Sequence, residues 1–520
     1  MPRLKNKRAR SLLSWFTFRR ATQVLALLAV LALVIGTGRA GWAGSSAAAL
    51  FQLDPLTTLA QVIAGRALFP GAALALILVG ITLLLGRVWC GWLCPMGTLL
   101  DLLPMRRLRR RKAPSESWRK AKYVLLLLIL FAALFANLSL LIFDPLTLVV
   151  RTVSSSVLPP LDRLTTGLET ALYRVPALRG AVKWVDDVLR PALLPRNPAP
   201  ARAPLLFAAL LVGIVAINLL AERFWCRYLC PLGGLLGLMS KIGLVRREPN
   251  DQCTGCELCT RVCPTGTVQP ENDFASDPAE CIMCMDCQDA CARRAQSFPM
   301  RVGLAPWNEY DPQRRHFLAS LAASVGGVGL LRLGSAKLKQ HRYWIQPPGA
   351  RENDLLSKCV RCGICVGVCP TGGLQPALTE AGVEGIWTPV LAPRMGYCNY
   401  ACNECGQRCP VGAIPPLIID QKVQTVIGLA VIDEDRCIAW AEDGDCIVCE
   451  EMCPLPEKAI ELEEETVDHP VEGPRTVLRP KVILERCIGC GYCEHKCPVE
   501  GEAAIRVLNP ATFEETHMSA

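Results

Sequence analysis

Cys253, Cys256, Cys259 and Cys263, followed by Pro264, place four thiols within eleven residues. A second run, Cys281, Cys284, Cys287 and Cys291, repeats the C-x2-C-x2-C-x3-C spacing. An iron–sulfur cube has four iron corners, each taking one thiolate, and a tight turn with cysteines three apart wraps three of them. The fourth corner must come from elsewhere. Each run is therefore a candidate for three ligands of one 4Fe–4S cluster and one ligand of another.

The pattern returns beyond residue 355. Cys359, Cys362, Cys365 and Cys369 keep the spacing, and so do Cys487, Cys490, Cys493 and Cys497. Cys398, Cys402, Cys405 and Cys409 widen the first gap to three residues, and Cys437, Cys446, Cys449 and Cys453 widen it to eight. The wider gaps lengthen one loop and leave the C-x2-C-x3-C turn intact, so six clusters are expected. Two C-x3-C-P pairs, Cys90 with Cys94 and Cys226 with Cys230, complete the 28 cysteines. Structural zinc takes separated pairs, and disulfide frameworks carry no repeated triplet spacing, so both fit poorly.

The elements that must position these thiols are partly apolar. The chain has 520 residues, is 51% hydrophobic and carries a net charge of +9. Its basic residues crowd beside uncharged runs at 21–38, 67–86, 123–143 and 204–221, which reads as membrane topology rather than nucleic-acid binding. Each run is about long enough to cross a ~30 Å hydrocarbon core as helix. Seven lysines and arginines in residues 1–20 and ten in 87–122 put both segments on the cytoplasmic side, and the loop 144–203 outside. Of five histidines none lies in the four runs, so a bis-histidine membrane haem is excluded.

Two parallel repeats are visible. Asp54-Pro55-Leu56-Thr57 is echoed by Asp144-Pro145-Leu146-Thr147, and Val88-Trp-Cys90 through Cys94-Pro95-Met-Gly97 by Phe224-Trp-Cys226 through Cys230-Pro231-Leu-Gly233. The four paired cysteines could converge on a pseudo-twofold axis and hold one additional cluster. A redox disulfide, a metal relay and turn cysteines beside a quinone site stand as alternatives. Asp54 and Asp144 read as turn residues, with quinol proton acceptance as the other reading. No catalytic acid, base or nucleophile constellation stands out.

Asp311-Pro-Gln-Arg314-Arg315 before the apolar run 317–331 resembles a twin-arginine export signal, which suits a domain that acquires its clusters before crossing. The alternative is a buried helix that leaves everything downstream in the cytoplasm. Strands are expected at 425–432 and 481–484, and the acidic stretch 461–465 as a solvated face.

The assembled motifs resemble two families joined in one chain. Residues 1 to about 300 are similar to the NapH-type membrane polyferredoxins, and about 311 to 510 to the NapG-type multi-cluster ferredoxins. In bacterial ferredoxins the last cysteine of each run crosses to the neighbouring cluster. The resemblance implies Cys253, Cys256, Cys259 with Cys291, and Cys281, Cys284, Cys287 with Cys263. Further along it implies Cys359, Cys362, Cys365 with Cys409; Cys398, Cys402, Cys405 with Cys369; Cys437, Cys446, Cys449 with Cys497; and Cys487, Cys490, Cys493 with Cys453. It also implies a quinol dehydrogenase subunit passing electrons from the quinone pool to a periplasmic reductase or cytochrome. A redox maturation or metal-reducing assembly factor is the alternative.

The expected architecture is multi-domain. An all-α membrane domain of four helices in two repeats occupies 1–245, and a cytoplasmic two-cluster module 246–300. A twin-arginine-like segment forming a fifth transmembrane helix follows at 311–335, then a periplasmic four-cluster domain of α+β ferredoxin-like units at 345–520. The protein is expected in the inner membrane, multi-pass, with no nucleic-acid partner.

Overall fold

Pro55, Pro95, Pro145 and Pro231 each open a helix, because proline at the first helical position gives up an N–H that has no intrahelical partner. The residue before each is extended, as the proline ring demands: Asp54 (φ −77°, ψ 112°), Cys94 (−64°, 120°), Asp144 (−66°, 132°) and Cys230 (−67°, 112°). Two Asp-Pro and two Cys-Pro dipeptides thus mark equivalent helix starts in the two repeats.

The computed structural model describes residues 14–37, 45–69, 71–103, 116–190, 202–305, 318–329 in part, 344–378, 380–469 and 473–510. The first repeat comprises α1 (Trp15–Gly36), α2 (Ser45–Leu53), α3 (Pro55–Gly65), α4 (Ala72–Leu85), α5 (Val88–Trp92) and α6 (Pro95–Leu102). In the second, α7 (Lys120–Leu134) leads to α8 (Pro145–Thr152), a π-turn (Val153–Val157), α9 (Leu158–Tyr173) and α10 (Arg179–Trp184). Then come α11 (Pro204–Ala216), a π-turn (Trp225–Leu229) and α12 (Pro231–Ser240).

The four apolar runs fold into α1, α4, α7 and α11, of which the last three are shorter than read. Among the described residues α1, with 22, is the one helix long and apolar enough to cross a membrane; α4 and α7 have 14 and 15, and α11 reaches 16 with a 3-10 turn ending at Leu219. At ~1.5 Å per residue these three cover about 21–24 Å. α4 begins only at Ala72, five residues into its run, and ends where the run does, at Gly86 (φ 73°), whereas Ala136 (φ 56°) turns the chain after α7 well inside its run. The expected outer loop 144–203 is helical over much of its length, running from α8 through the π-turn into α9. Arg314 and Arg315 lie outside the described residues.

Small antiparallel pairs fasten the cysteine-bearing loops. β1 (Glu248–Pro249) pairs with β2 (Gln296–Ser297), β3 (Leu374–Pro376) with β4 (Pro389–Leu391), and β5 (Leu429–Ile432) with β8 (Ile505–Leu508). β6 (Ile460–His469) and β7 (Gly473–Val482) form a longer hairpin that takes in the acidic stretch, with Glu463 paired to Lys481 and Glu465 to Arg479, both at 2.9 Å. The strands expected at 425–432 and 481–484 are displaced: β5 starts at Leu429, and β7 ends at Val482.

The two cysteine-rich regions dock at opposite ends of the bundle. At one end of α7, Lys122 pairs with Glu280 of the first module. Beyond its other end, Leu138 N–H donates to the Leu356 carbonyl of the C-terminal domain at 3.1 Å. The buried core is continuous between them, from Ile282 through Leu126, Ile129 and Val150 to Val360 and Cys362.

Candidate iron–sulfur sites

Every run of standard spacing folds the same way. The second residue after its first cysteine and the first after its second cysteine are left-handed: Gly255 and Glu257, Met283 and Met285, Arg361 and Gly363, Gly489 and Gly491, with φ between 50° and 79°. This double reversal turns an N–H toward sulfur. Arg361 N–H donates to Cys359 Sγ at 3.4 Å, and Met283, Ile364, Gly489 and Tyr492 do the same for Cys281, Cys362, Cys487 and Cys490. Such donors stabilise a sulfur carrying negative charge. In the two widened runs the matching residues Asn403 (φ −131°) and Ile447 (φ −118°) are not left-handed.

The fourth thiol comes from the neighbouring run. Cys359, Cys362, Cys365 and Cys409 line one cavity; Cys398, Cys402, Cys405 and Cys369 a second; Cys437, Cys446, Cys449 and Cys497 a third; Cys487, Cys490, Cys493 and Cys453 a fourth. In the first module Cys263 acts electrostatically on Cys281, Cys284 and Cys287. For Cys253, Cys256, Cys259 and Cys291, the short helices Leu258–Val262 and Asp286–Ala290 pack together. Burial pushes the Cys287, Cys449 and Cys490 thiols up to about 12, so thiolates here require a positive centre beside them. Among the described residues no three His, Cys, Asp or Glu side chains close on a single ion. Four thiols spread around a cavity suit a cube better than a lone zinc.

The quartets form a series. The Cys359 quartet abuts the bundle, since Arg151 and Ser155 line its cavity, and an added Cβ on Gly363 would stand 3.0 Å from Ser155 Oγ. The Cys398 quartet is next, with Cys405 acting on Cys365. Cys398 N–H donates to the Cys490 carbonyl at 2.8 Å, bringing in the Cys487 quartet, and Cys493 faces Cys449 of the Cys437 quartet.

The two C-x3-C-P pairs converge. All four thiols are buried, and Cys230 is acted on by Cys226, Cys90 and Cys94 together. Arg87 and Arg223, each 1% exposed, flank this tetrad. The Arg87 guanidinium lies 4.0 Å from Cys90 Sγ, and Arg223 donates to the Cys90 carbonyl at 2.8 Å. Their positions are exchanged between repeats: an added Cβ on Gly233 would meet Arg87 at 2.8 Å, and one on Gly97 would meet Arg223 at 3.6 Å. Gly233 N–H donates to Cys230 Sγ at 3.2 Å. Asp101 anchors Arg223 at 2.7 Å. The first module closes over the tetrad, with Trp92 Nε1–H donating to the Met283 carbonyl at 2.9 Å.

Comparison with known proteins agrees with this chemistry. A 4Fe-4S binding domain matches residues 67–114 and 203–249, a 4Fe-4S dicluster domain 237–310, and a further 4Fe-4S binding domain 356–375 and 480–501. The methylamine utilization ferredoxin-type protein MauM of Methylorubrum extorquens is 35% identical over 212 residues, 38% of this chain and 90% of the relative. The chain belongs to the MauM/NapG family of ferredoxin-type proteins. NapG of Haemophilus influenzae is 34% identical over 208 residues, 72% of its length, and NapG of Escherichia coli 34% over 207 residues, 85% of its length. No solved structure matches.

This MauM/NapG-type ferredoxin is thus an iron–sulfur electron-transfer protein with several 4Fe–4S clusters, and it works with redox partners. Arg87 and Arg223 escaped the sequence reading as site residues, whereas Gly97 and Gly233 already closed the two repeated motifs. A repeat extended one residue upstream reads Arg-x-Trp-Cys-x3-Cys-Pro-x-Gly in both copies and contains them all.

Proposed function

We propose that the chain is a membrane-embedded conduit that oxidises quinol and delivers electrons, one at a time, to a redox partner on the opposite face. One observation carries this: cysteine quartets dock at both ends of a single helix bundle whose outward side is apolar. Leu25, Leu28, Leu76, Ile77, Leu205 and Val212 are exposed on α1, α4 and α11, while Arg87, Arg223 and Lys122 are buried within. That inversion is what a lipid surround favours.

In this reading α1, α4, α7 and α11 form the NapH-like membrane unit, with the twin-arginine-like segment at 311–335 as a fifth crossing. The first module lies on the cytoplasmic side, and the four-quartet domain on the periplasmic side. Each quartet, and the tetrad as a seventh site, holds a 4Fe–4S cube, which when bound takes up and releases single electrons. The protein supplies the rest. Left-handed turns set the thiols, N–H groups and the buried Arg87 and Arg223 balance their charge, and packed cores exclude water. The family names attach to methylamine utilization and to Nap proteins, so the terminal partner is a reductase or cytochrome.

Purified full-length protein, kept free of oxygen, is mixed with a reduced quinol analogue in detergent. Bleaching of the iron–sulfur absorbance with stoichiometric quinone formation is expected. Reduction by dithionite but not by quinol overturns the quinol reading.

A further inference from the structure

Asp54 and Asp144 stand face to face inside the bundle. They occupy equivalent N-cap positions in the two repeats, and each engages one oxygen. Asp54 Oδ1 accepts the Leu56 N–H at 2.8 Å, and Asp144 Oδ2 accepts the N–H groups of Leu146 and Thr147 at 2.9 Å. The other oxygens, Asp54 Oδ2 and Asp144 Oδ1, are buried without a donor. The side chains, 2% and 0% exposed, are within hydrogen-bonding reach of each other, and no cation is among the principal groups acting on either. Capping alone does not call for this arrangement, since asparagine caps a helix as well as aspartate. Two ionised carboxylates cannot share such a site, whereas one proton between the facing oxygens removes the repulsion.

We propose that Asp54 and Asp144 hold a single proton between them, and that this pair accepts the protons released when quinol is oxidised in the bundle. The second half rests on the quinol reading above. The location suits it. Asp144 caps α8, and Arg151, about 10 Å further along the helix, lines the Cys359 quartet. Asp54 caps α3, on which the Gln61 amide reaches the Lys358 carbonyl at 3.5 Å. Proton pair and first quartet therefore lie at two ends of one buried helix.

Quinol becomes quinone by losing two electrons and two protons. The electrons go singly to the iron–sulfur sites. The pair, singly protonated at rest, gains one proton to become fully protonated, releases one toward the face on which the C-terminal domain docks, then takes the second and releases it the same way, returning to the singly protonated state.

Infrared spectra of the full chain in detergent, with D54N and D144N, test both halves. Either amide keeps the cap and donates to the remaining carboxylate, so the fold and the iron content stay unchanged. A protonated-carboxyl band that shifts in D2O is expected in the parent and absent from both variants. Quinol-driven reduction should slow roughly 100-fold or more, while dithionite reduction is unaffected. Absence of the band in the parent, or its survival in both variants, overturns the shared proton. Band loss with an unchanged quinol rate overturns the acceptor role. A parent that shows the band yet ignores quinol overturns the acceptor role together with the quinol reading, and leaves the shared proton standing.

Discussion

Replacing Glu280 by glutamine should loosen the first module from the bundle. Glu280 is 4% exposed and faces three cations: Lys122 in direct contact, Arg119 at 3.7 Å and Arg87 at 3.8 Å. Burial alone would raise this carboxyl, yet Lys122, Arg119 and Arg87 hold it below the usual carboxylate range. Each arginine contributes about 4 kcal/mol of attraction at an effective dielectric of 20, and desolvation cancels much of it. Removing one partner of such a buried cluster leaves uncompensated charge and costs about 3–5 kcal/mol net. At ~1.4 kcal/mol per decade, the opening equilibrium should rise by roughly two to three and a half powers of ten. Hydrogen exchange read over residues 265–285 reports this as lost protection. E257Q, at an exposed pair with Arg261 (3.8 Å), should change little. K122M added to E280Q should recover part of the loss, because it removes one of the stranded cations. Unchanged protection in E280Q would refute the view that buried charge holds the module in place.

Three further outcomes follow from local geometry. Gly91→Ala would set a Cβ 2.3 Å from the Ile282 carbonyl, so it should separate the module from the tetrad and raise protease sensitivity between residues 241 and 300 while the C-terminal domain stays intact. Met285→Gly, at φ 62°, relieves a left-handed side chain and should raise the thermal midpoint of the module, by up to ~1 kcal/mol of stability. Asp101, despite its burial, is held well below the usual carboxylate range by Arg223 and Arg19. A lowered folded-state value means a contribution present above about pH 4 and lost as the pH falls further. The gap in melting temperature between parent and D101N should therefore be full at pH 7 and shrink on acidification below pH 4.

Spacing carried most of the site. Cysteines three apart specify the turn, so the groups of three thiols were legible in the spacing, while the crossing fourth thiol rested on the resemblance to ferredoxins. Side chains such as Glu257, Met283, Met285 and Arg361 give no hint that they adopt positive φ, because the metal-site turn overrides their local preference. The Asp-Pro and Cys-Pro helix starts were visible as motifs, and proline chemistry explains them. The lengths of α4, α7 and α11 were not legible, since hydropathy registers neither the late start of α4 at Ala72 nor the left-handed Ala136 inside the run that holds α7. Nor was the tetrad's charge balance. Arg87 and Arg223 look like interfacial topology markers in a linear reading, and the exchange that seats each over the other repeat's glycine exists only in three dimensions. The facing of Asp54 and Asp144, ninety residues apart, depends on the same pseudo-twofold relation.

Iron and acid-labile sulfide counts on oxygen-free full-length protein, with Mössbauer spectra to identify the iron, test most directly whether these thiols in fours hold cubes. Six quartets and the tetrad give about 28 iron and about 28 sulfide per chain, falling to about 24 of each in a Cys226→Ala, Cys230→Ala variant. A parent with about 24 iron and a disulfide or zinc at the tetrad would remove the seventh site, and an iron-free, colourless parent would contradict the reading altogether.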